Sequence, residues 1–352
     1  MQKKTGNKFL DIKDIRIGIV GATGAVGEVA LEILESNSHP IENIIAIASP
    51  RSEGKKINYS NKYLIVKSFH ENMLDFLDVL IISATSAVSR ELSTIAKAKG
   101  ILVIDDGSTF RMDDKVPLVV PEVNAYDIDW HKGIISTPNC TTTPLVMVID
   151  SLRTLGTVIR VNVSTYQAVT GTGSLAKREL INQTKAMIDD NHYEVEVYPH
   201  PIGFNLLPHV DEFFSNGYTK EEMKMVNESK KILHDDSINI SATCVRVPVR
   251  VSHSESVQIE FSNDVKIHEV LKNLNAYKGI EVFDKVDSNH YPTPLNSSGQ
   301  DSVFVGRVRK DISLSNGISL WLSCDNLRKG ASLNALQILN EVKKRDPERF
   351  NR

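Results

Sequence analysis

The sequence predicts an α/β protein of two domains, a doubly wound N-terminal domain followed by an α+β domain on a mixed sheet. Three observations carry this reading. Short apolar strands alternate with helical segments through the first third of the chain, as in a parallel sheet covered on both faces by right-handed βαβ units. A glycine-rich turn joins the first strand to the first helix. After Cys140 the texture changes to longer segments that alternate apolar and polar residues, as strands with one polar face do. That change places the domain boundary near residue 137. No internal repeat or low-complexity linker interrupts the chain.

The elements follow in order. Ile15–Val20 is the first strand, and Gly24–Ser36 follows with Val26, Val29, Ala30, Ile33 and Leu34 at helical spacing. Ile44–Ala48, Val79–Ser83 and Leu102–Asp105 are further strands, with a helix over Ser89–Lys99. Lys132–Ile135 reads as a strand running into a turn at Pro138. Leu145–Leu152 reads as a buried helix, with Pro144 tolerated only in its first turn. Val158–Ala168, Thr243–Val251 and Val257–Phe261 alternate as strands. Lys220–His234 is an amphipathic helix, with Thr219 as N-cap and Glu222 as its capping-box partner. Asn334–Lys344 forms a closing helix.

Composition excludes several classes. The 352 residues are 41% hydrophobic and 24% charged, ordinary for a globular chain. The net charge of −3 gives no nucleic-acid or membrane footprint. The polar, basic start Met1–Asn7 lacks the apolar core of a signal peptide. Three scattered cysteines argue against a disulfide framework and for a reducing compartment, so a cytoplasmic location is expected. No CxxC, HExxH or acidic calcium loop occurs, so no metal is expected.

Gly21-Ala22-Thr23-Gly24-Ala25-Val26-Gly27 leaves the first strand and opens the first helix. Glycines let backbone approach a pyrophosphate, and the helix start supplies N–H donors, the mark of a Rossmann-type dinucleotide cradle. An NAD site places an acid at the end of the second strand. Here that end reads Ser49-Pro50-Arg51-Ser52-Glu53-Gly54-Lys55-Lys56, whose Ser and Arg suit the 2′-phosphate of NADP. Glu53 leaves NAD open.

Cys140 stands in Ser136-Thr137-Pro138-Asn139-Cys140-Thr141, just before a helix start that favours a thiolate. The bland alternative is an inert packing cysteine, the reading given to Cys244 and Cys324. Polar chemistry also gathers at Gln167, at the glycine-rich turn Thr170-Gly171-Thr172-Gly173, at Glu221 and Lys224, and over Arg246–His253. Arg246 and His253 are an odd number of residues apart, so a regular strand would point them to opposite faces. The strand is therefore expected to end, bulge or turn before His253, helped by Pro248.

These segments, with Phe204-Asn205-Leu206-Leu207-Pro208-His209 and Asp325-Asn326-Leu327-Arg328-Lys329-Gly330-Ala331, resemble the aspartate-semialdehyde dehydrogenase family in order and spacing. The resemblance runs from about residue 15 to Gly330. It implies an N-terminal Rossmann-type domain over 1–137 and a catalytic and dimerisation domain over 138–327, with the C-terminal helix in 328–352 packing back on the first. The implied reaction is NADPH-dependent reductive dephosphorylation of L-β-aspartyl phosphate to L-aspartate 4-semialdehyde and phosphate. It serves lysine (via diaminopimelate), methionine, threonine and isoleucine biosynthesis, in a homodimer or dimer of dimers. Cys140 would attack the acyl carbonyl, Gln167 orient the acyl chain, and His253 shuttle the proton. Asn139 and the Cys140 amide would donate to the oxyanion or phosphate. Glu221 suits the amine, Arg246 the α-carboxylate, and Arg111 and Lys224 the phosphate, though Arg111 and Lys224 also read as ordinary surface charges. Cofactor contacts would come from Gly21, Thr23, Gly24, Ala25, Val26, Gly27, Ser49, Arg51, Ser52, Thr85, Thr170, Gly171 and Asn326. The stretches 84–86 and 105–111 depart from the family's wording.

Three alternatives stay open. N-acetyl-γ-glutamyl-phosphate reductase works on a substrate without a free amine, so Glu221 argues against it. Phosphorylating glyceraldehyde-3-phosphate dehydrogenase would lack the Glu221–Lys224 pair and the Arg246 clamp. A catalytically inactive dinucleotide-binding sensor would have no reason to keep Cys140, Gln167 and His253 together.

Overall fold

A computed structural model describes residues 10–350, and the polar start Met1–Asn7 lies outside them. The chain divides into two compact units, Met1–Pro138 with Ala331–Arg352, and Asn139–Gly330.

The first unit holds β1 (Ile17–Val20), α1 (Ala25–Ser36), β2 (Ile44–Ile47), β3 (Lys56–Tyr59), β4 (Lys62–Ile65), β5 (Val79–Ile82), α2 (Ser86–Ala98), β6 (Leu102–Asp105), α3 (Pro121–Asn124) and β7 (Ile134–Ser136). Five strands form a parallel sheet in the order β2-β1-β5-β6-β7. Successive side chains of a strand face opposite ways, and both faces are apolar here. Ile17, Ile19, Ile81 and Ile104 join one buried cluster, while Val20, Leu80, Ile82 and Val103 join another. That is why these strands read as nearly unbroken apolar runs. The hairpin β3–β4 stands apart from this sheet.

The second unit holds α4 (Thr142–Leu152), β8 (Val158–Gln167), α5 (Ser174–Ile188), α6 (Lys220–Leu233), β9 (Asn239–Arg246), β10 (His253–Phe261), α7 (Ile267–Ala276), β11 (Ile280–Val282), α8 (Pro294–Ser297), β12 (Val303–Lys310) and β13 (Gly317–Cys324). Its mixed sheet runs β11-β12-β13-β10-β8-β9, with β8–β9 and β11–β12 parallel and the rest antiparallel. The helix α9 (Leu333–Arg345) returns the chain to the first unit, where Leu336, Leu339 and Val342 enter the first apolar cluster.

The strand expected over Thr243–Val251 is observed as Asn239–Arg246 and stops before Pro248. Proline has no N–H for a ladder and fixes its own φ, so the segment after Arg246 leaves the sheet. Ser252, at φ 77, makes the corner, and β10 opens on His253. The odd spacing of Arg246 and His253 is resolved by that break. Among the described residues, no helix is long and apolar enough to cross a membrane.

Candidate active site

In the first unit the strand order reverses at β1, which has β2 on one side and β5 on the other. Ligands of open α/β sheets bind beyond the strand ends at such a switch point. Gly21 leaves β1 at φ +86, where a Cβ would lie 2.2 Å from the Ser83 carbonyl oxygen. A Cβ at Gly27 would lie 2.3 Å from the Gly21 oxygen. Both positions exclude a side chain, so the loop is drawn tight against the sheet. α1 then starts at Ala25 with Gly24 as an N-cap that offers no side-chain bond, leaving its first N–H groups for an anion. Thr85, the exposed residue before α2, stands at the end of β5. Past β2, Ser49 and Arg51 are exposed, Ser52 is buried, and Glu53 accepts a 2.8 Å bond from Ser68. These residues fit a dinucleotide. Arg111 is buried, and its Nη2 donates to the Asp106 carbonyl at 2.9 Å. Burial pushes the Asp106 carboxyl up to about 6, even with Thr137 donating to it at 2.6 Å.

In the second unit, Cys140 is half-buried immediately before α4. Asn139 shapes the turn under it. The Asn139 Oδ1 accepts from the Thr141 N–H at 2.9 Å and from its hydroxyl at 2.6 Å, and its carbonyl accepts the Thr143 N–H at 3.0 Å. The Asn139 N–H donates to Glu228 at 2.6 Å. A Cβ on Gly330 would lie 3.0 Å from the Cys140 Cβ, a tight contact, so glycine eases the close approach of the two backbones. Burial pushes the thiols of Cys244 and Cys324 up, and both are closed to solvent. They stay protonated packing residues.

Sheet register then brings Gln167, Arg246 and His253 together. Gln167 pairs with Arg246 across β8–β9, and His253 opens β10, whose next residue pairs with Tyr166. All three are buried. Ala168 ties two of them: its N–H donates to His253 Nδ1 at 2.9 Å, and its carbonyl accepts Arg246 Nη1 at 2.7 Å. Burial, with Arg246 adding to it, holds the His253 pKa well below the usual histidine range.

Glu221 is the hub. Its Oε1 accepts from Asn139 Nδ2 at 3.0 Å and Gln167 Nε2 at 3.2 Å, and its Oε2 accepts Lys224 Nζ at 3.0 Å. Burial alone would raise its pKa, but Lys224, Asn139 and Arg246 outweigh burial and hold it low. Lys224 also donates to Asp211 at 2.7 Å. Burial favours its neutral form, yet Glu221 and Asp211 keep its pKa raised. Glu222 serves the capping box with Thr219, and accepts the Cys244 N–H at 3.0 Å.

The candidates of the second unit thus converge, with adjustments. Asn139 spends its side chain on Glu221 and Thr141, so it braces the turn that carries the thiol. Asn326 accepts the Ser252 N–H at 2.9 Å and donates to Thr170 at 3.2 Å, fixing the corner before His253. Glu228 and Asp211 escape sequence reading. Glu228 is a helical glutamate like many others, and only its place opposite Asn139 gives it a task.

Glu255, two residues after His253 on the same face of β10, is fully buried, and neither carboxyl oxygen has a hydrogen-bond partner. Burial pushes its pKa well above the usual carboxylate range. A raised folded pKa means that the native state holds the proton while the unfolded chain releases it. Stability is therefore full below about 4.5 and falls as pH rises above it, by about 1.4 kcal/mol per pH unit until the folded value is reached. Glu255→Gln removes this slope. Its urea stability relative to wild type is expected to be greater at pH 8 than at pH 5; an equal difference at both would refute a neutral Glu255.

The family model described as semialdehyde dehydrogenase, NAD binding domain, matches residues 16–131. That described as semialdehyde dehydrogenase, dimerisation domain, matches residues 150–329. Fold and site thus define an oxidoreductase of the semialdehyde dehydrogenase class. The aspartate-semialdehyde dehydrogenase of Aquifex aeolicus is 45% identical over 327 residues, 92% of this chain and 96% of that protein. The one from Bacillus subtilis is 41% identical over 340 residues, 94% and 98% of the two chains. The crystal structure of aspartate semialdehyde dehydrogenase II of Vibrio cholerae complexed with ASA superposes with a TM-score of 0.91 at 40% identity, covering 94% of this chain and 98% of that one. The chain belongs to the aspartate-semialdehyde dehydrogenase family, NAD(P)-dependent oxidoreductases of amino-acid biosynthesis.

Proposed function

We propose that this chain reduces L-β-aspartyl phosphate to L-aspartate 4-semialdehyde and phosphate, reversibly, with NADPH as partner and Cys140 carrying the acyl group. The observation that carries the reading is the half-buried thiol before α4, on the unit that also gathers Gln167, Glu221, Arg246 and His253. The thiolate attacks the acyl carbonyl, the C–S bond forms, and the C–O bond to phosphate breaks, the phosphate taking a proton from solvent. NADPH, when bound, supplies the hydride that reduces the thioester. Breaking of the C–S bond then releases aldehyde and returns the electron pair to sulfur. Arg246 holds the α-carboxylate, Glu221 the amine, and Gln167 the acyl chain. Arg111 and Lys224 take the phosphate, and His253 serves the acyl oxygen.

NADP is supported by Arg51, which is exposed past β2, and by Glu53, which is turned to Ser68. Gly21–Gly27 cradle the pyrophosphate, with Ser49, Ser52, Thr85, Thr170, Gly171 and Asn326 completing the cofactor set. Domain roles follow: dinucleotide binding in the first unit, catalysis and dimerisation in the second. The match of residues 150–329 to a dimerisation-domain family supports a homodimer, and Phe204, Leu206, Phe213 and Phe214 are exposed apolar side chains in that domain. The test is phosphate-dependent reduction of NADP by L-aspartate 4-semialdehyde, with NAD run in parallel. Absence of turnover would sink the reading, and a preference for NAD would sink the cofactor choice.

Gly171 makes a second test of the site. A Cβ there would lie 3.0 Å from Arg246 Nη1 and 3.3 Å from His253 Nε2, filling space that the substrate or nicotinamide needs. Gly171→Ala is expected to lower kcat/KM at least ~10-fold, because small misplacements at a reacting centre are costly. Its unfolding midpoint should stay near wild type, since Gly171 is exposed. Unchanged kcat/KM would show that this space is not used.

A further inference from the structure

We infer that Tyr198 is a positioning residue for Arg246, its ring fixing the plane of the guanidinium that takes the α-carboxylate of the substrate. The inference rests on the role proposed above for Arg246, and its test separates the two.

A single hydrogen bond fixes a point on a guanidinium but not its plane. Among the described residues the Arg246 side chain makes one, from Nη1 to the Ala168 carbonyl at 2.7 Å. Its Nε is buried with no hydrogen-bond partner, although a buried donor normally has one. Two-point recognition of a carboxylate depends on how the planar fork is turned. The Tyr198 ring supplies the missing contact, with the Arg246 Cζ 5.9 Å from its centroid, within the range of a cation–π pair. Burial pushes the Tyr198 phenol up, and the Arg246 charge pulls against it.

Tyr198 is itself held from several sides. Its hydroxyl donates to the Thr172 hydroxyl at 3.0 Å, with the Val169 carbonyl at 3.4 Å, both in the glycine-rich turn after β8. Its segment is carried by α5 through two buried side chains one helical turn apart, Glu179 and Gln183. Before Tyr198, Glu179 Oε2 accepts the N–H groups of Glu196 and Val197 at 3.2 and 2.6 Å. After it, Gln183 Oε1 accepts those of Ile202 and Gly203 at 2.8 and 3.0 Å. Gln183 Nε2 joins the two, donating to Glu179 Oε1 at 3.0 Å and to the Glu194 carbonyl at 2.8 Å. Further on, the Leu207 N–H donates to the Arg246 carbonyl at 2.9 Å, and the Arg246 N–H to the Leu207 carbonyl at 2.8 Å. The segment that presents the ring is thus also paired with the backbone of the arginine beneath it.

Packing alone would not need a tyrosine. Tyr198 lies against an apolar cluster of Val169, Ala176, Leu180, Ile202 and Leu207, which a leucine would complete as well. Only an aromatic ring adds a negative face for a guanidinium.

Kinetics on the full chain read the effect through KM. In Tyr198→Leu, KM for L-aspartate 4-semialdehyde is expected to rise about 5–10-fold, with kcat within ~3-fold and KM for NADP unchanged. Tyr198→Met, also without a ring, should match it. Tyr198→Phe should stay within ~2-fold of wild type, because the ring remains. An unchanged KM in both ringless variants, or a Phe variant as impaired as they are, would overturn the inference. In an Arg246→Met background, Tyr198→Leu should raise KM no further; a full additional rise would show that Tyr198 acts apart from Arg246, and would refute it.

A second readout needs no substrate. In protein labelled with ¹⁵N-arginine, the Arg246 Nε–H signal is assigned as the one lost in both Arg246→Lys and Arg246→Met. It is expected to move in Tyr198→Leu and to keep its place in Tyr198→Phe, since a ring shifts the protons over its face. A signal indifferent to loss of the ring would count against Tyr198. If the signal responds while Arg246→Met leaves KM unchanged, the substrate role of Arg246 fails, and the placing of its guanidinium by Tyr198 stands.

Discussion

Cys140→Ser is expected to lose about 10³-fold or more in kcat/KM for phosphate-dependent oxidation of the semialdehyde, with the fold intact. A serine hydroxyl at the same place is too weakly acidic to exist as the anion, and the helix start that favours a thiolate cannot make up the difference. Neither remaining cysteine can substitute, because Cys244 and Cys324 are buried and their thiols are held in the protonated form. Stability should change little: Cys140 is half-buried, and serine adds no volume against Gly330. Steady-state rates and a mass-resolved search for the acyl adduct provide the check. Equal activity in wild type and variant would overturn the thioester route while leaving the family intact.

Arg246→Met should have the next largest effect, about 10²–10³-fold in kcat/KM, concentrated in KM for the semialdehyde. Methionine keeps the apolar stem of the side chain and removes the guanidinium, so the α-carboxylate would lose its charge-assisted partner. The loss also reaches inward. Arg246 Nη1 holds the Ala168 carbonyl at 2.7 Å, and a buried carbonyl left alone costs about 1–3 kcal/mol. Binding of NADP should be untouched. Arg246→Lys should recover only part of the loss, because an ammonium cannot reproduce the fork. An unchanged KM for the semialdehyde would remove Arg246 from the substrate-binding set.

Local chemistry made much of this molecule legible. The glycine turn, the proline in the first turn of α4, and the Thr219–Glu222 capping box all act within a few residues, and such features can be read directly from a sequence. Even the break before His253 could be inferred, since parity and Pro248 conflicted with a regular strand. The length of that strand was misread, because Val247, Val249 and Val251 continue the alternation after the sheet has ended.

Other features depend on neighbours distant in the chain. That Glu221 receives Asn139 and Gln167, or that Glu228 receives the Asn139 amide, follows from how α6 lies against α4 and β8. No spacing rule carries that information. Glu255 is a sharper case. An alternating strand would have assigned it to solvent as readily as to the interior, and its fully buried carboxyl breaks the usual rule for charged residues.

The assembly of Gln167, Arg246 and His253 from three strands has a consequence for the growing chain. Synthesis produces Cys140 and the whole parallel sheet of the first unit long before β9 and β10 exist. Until then Gln167 and Ala168 lack the Arg246 and His253 that meet them in the finished sheet. Parallel pairing of β8 with β9 must also wait for a long intervening segment, the kind of distant contact that forms slowly. A half-made chain therefore carries the Cys140 thiol before Gln167, Arg246 and His253 have come together. The core of the first unit closes later still, when α9 is made and Leu336, Leu339 and Val342 enter it.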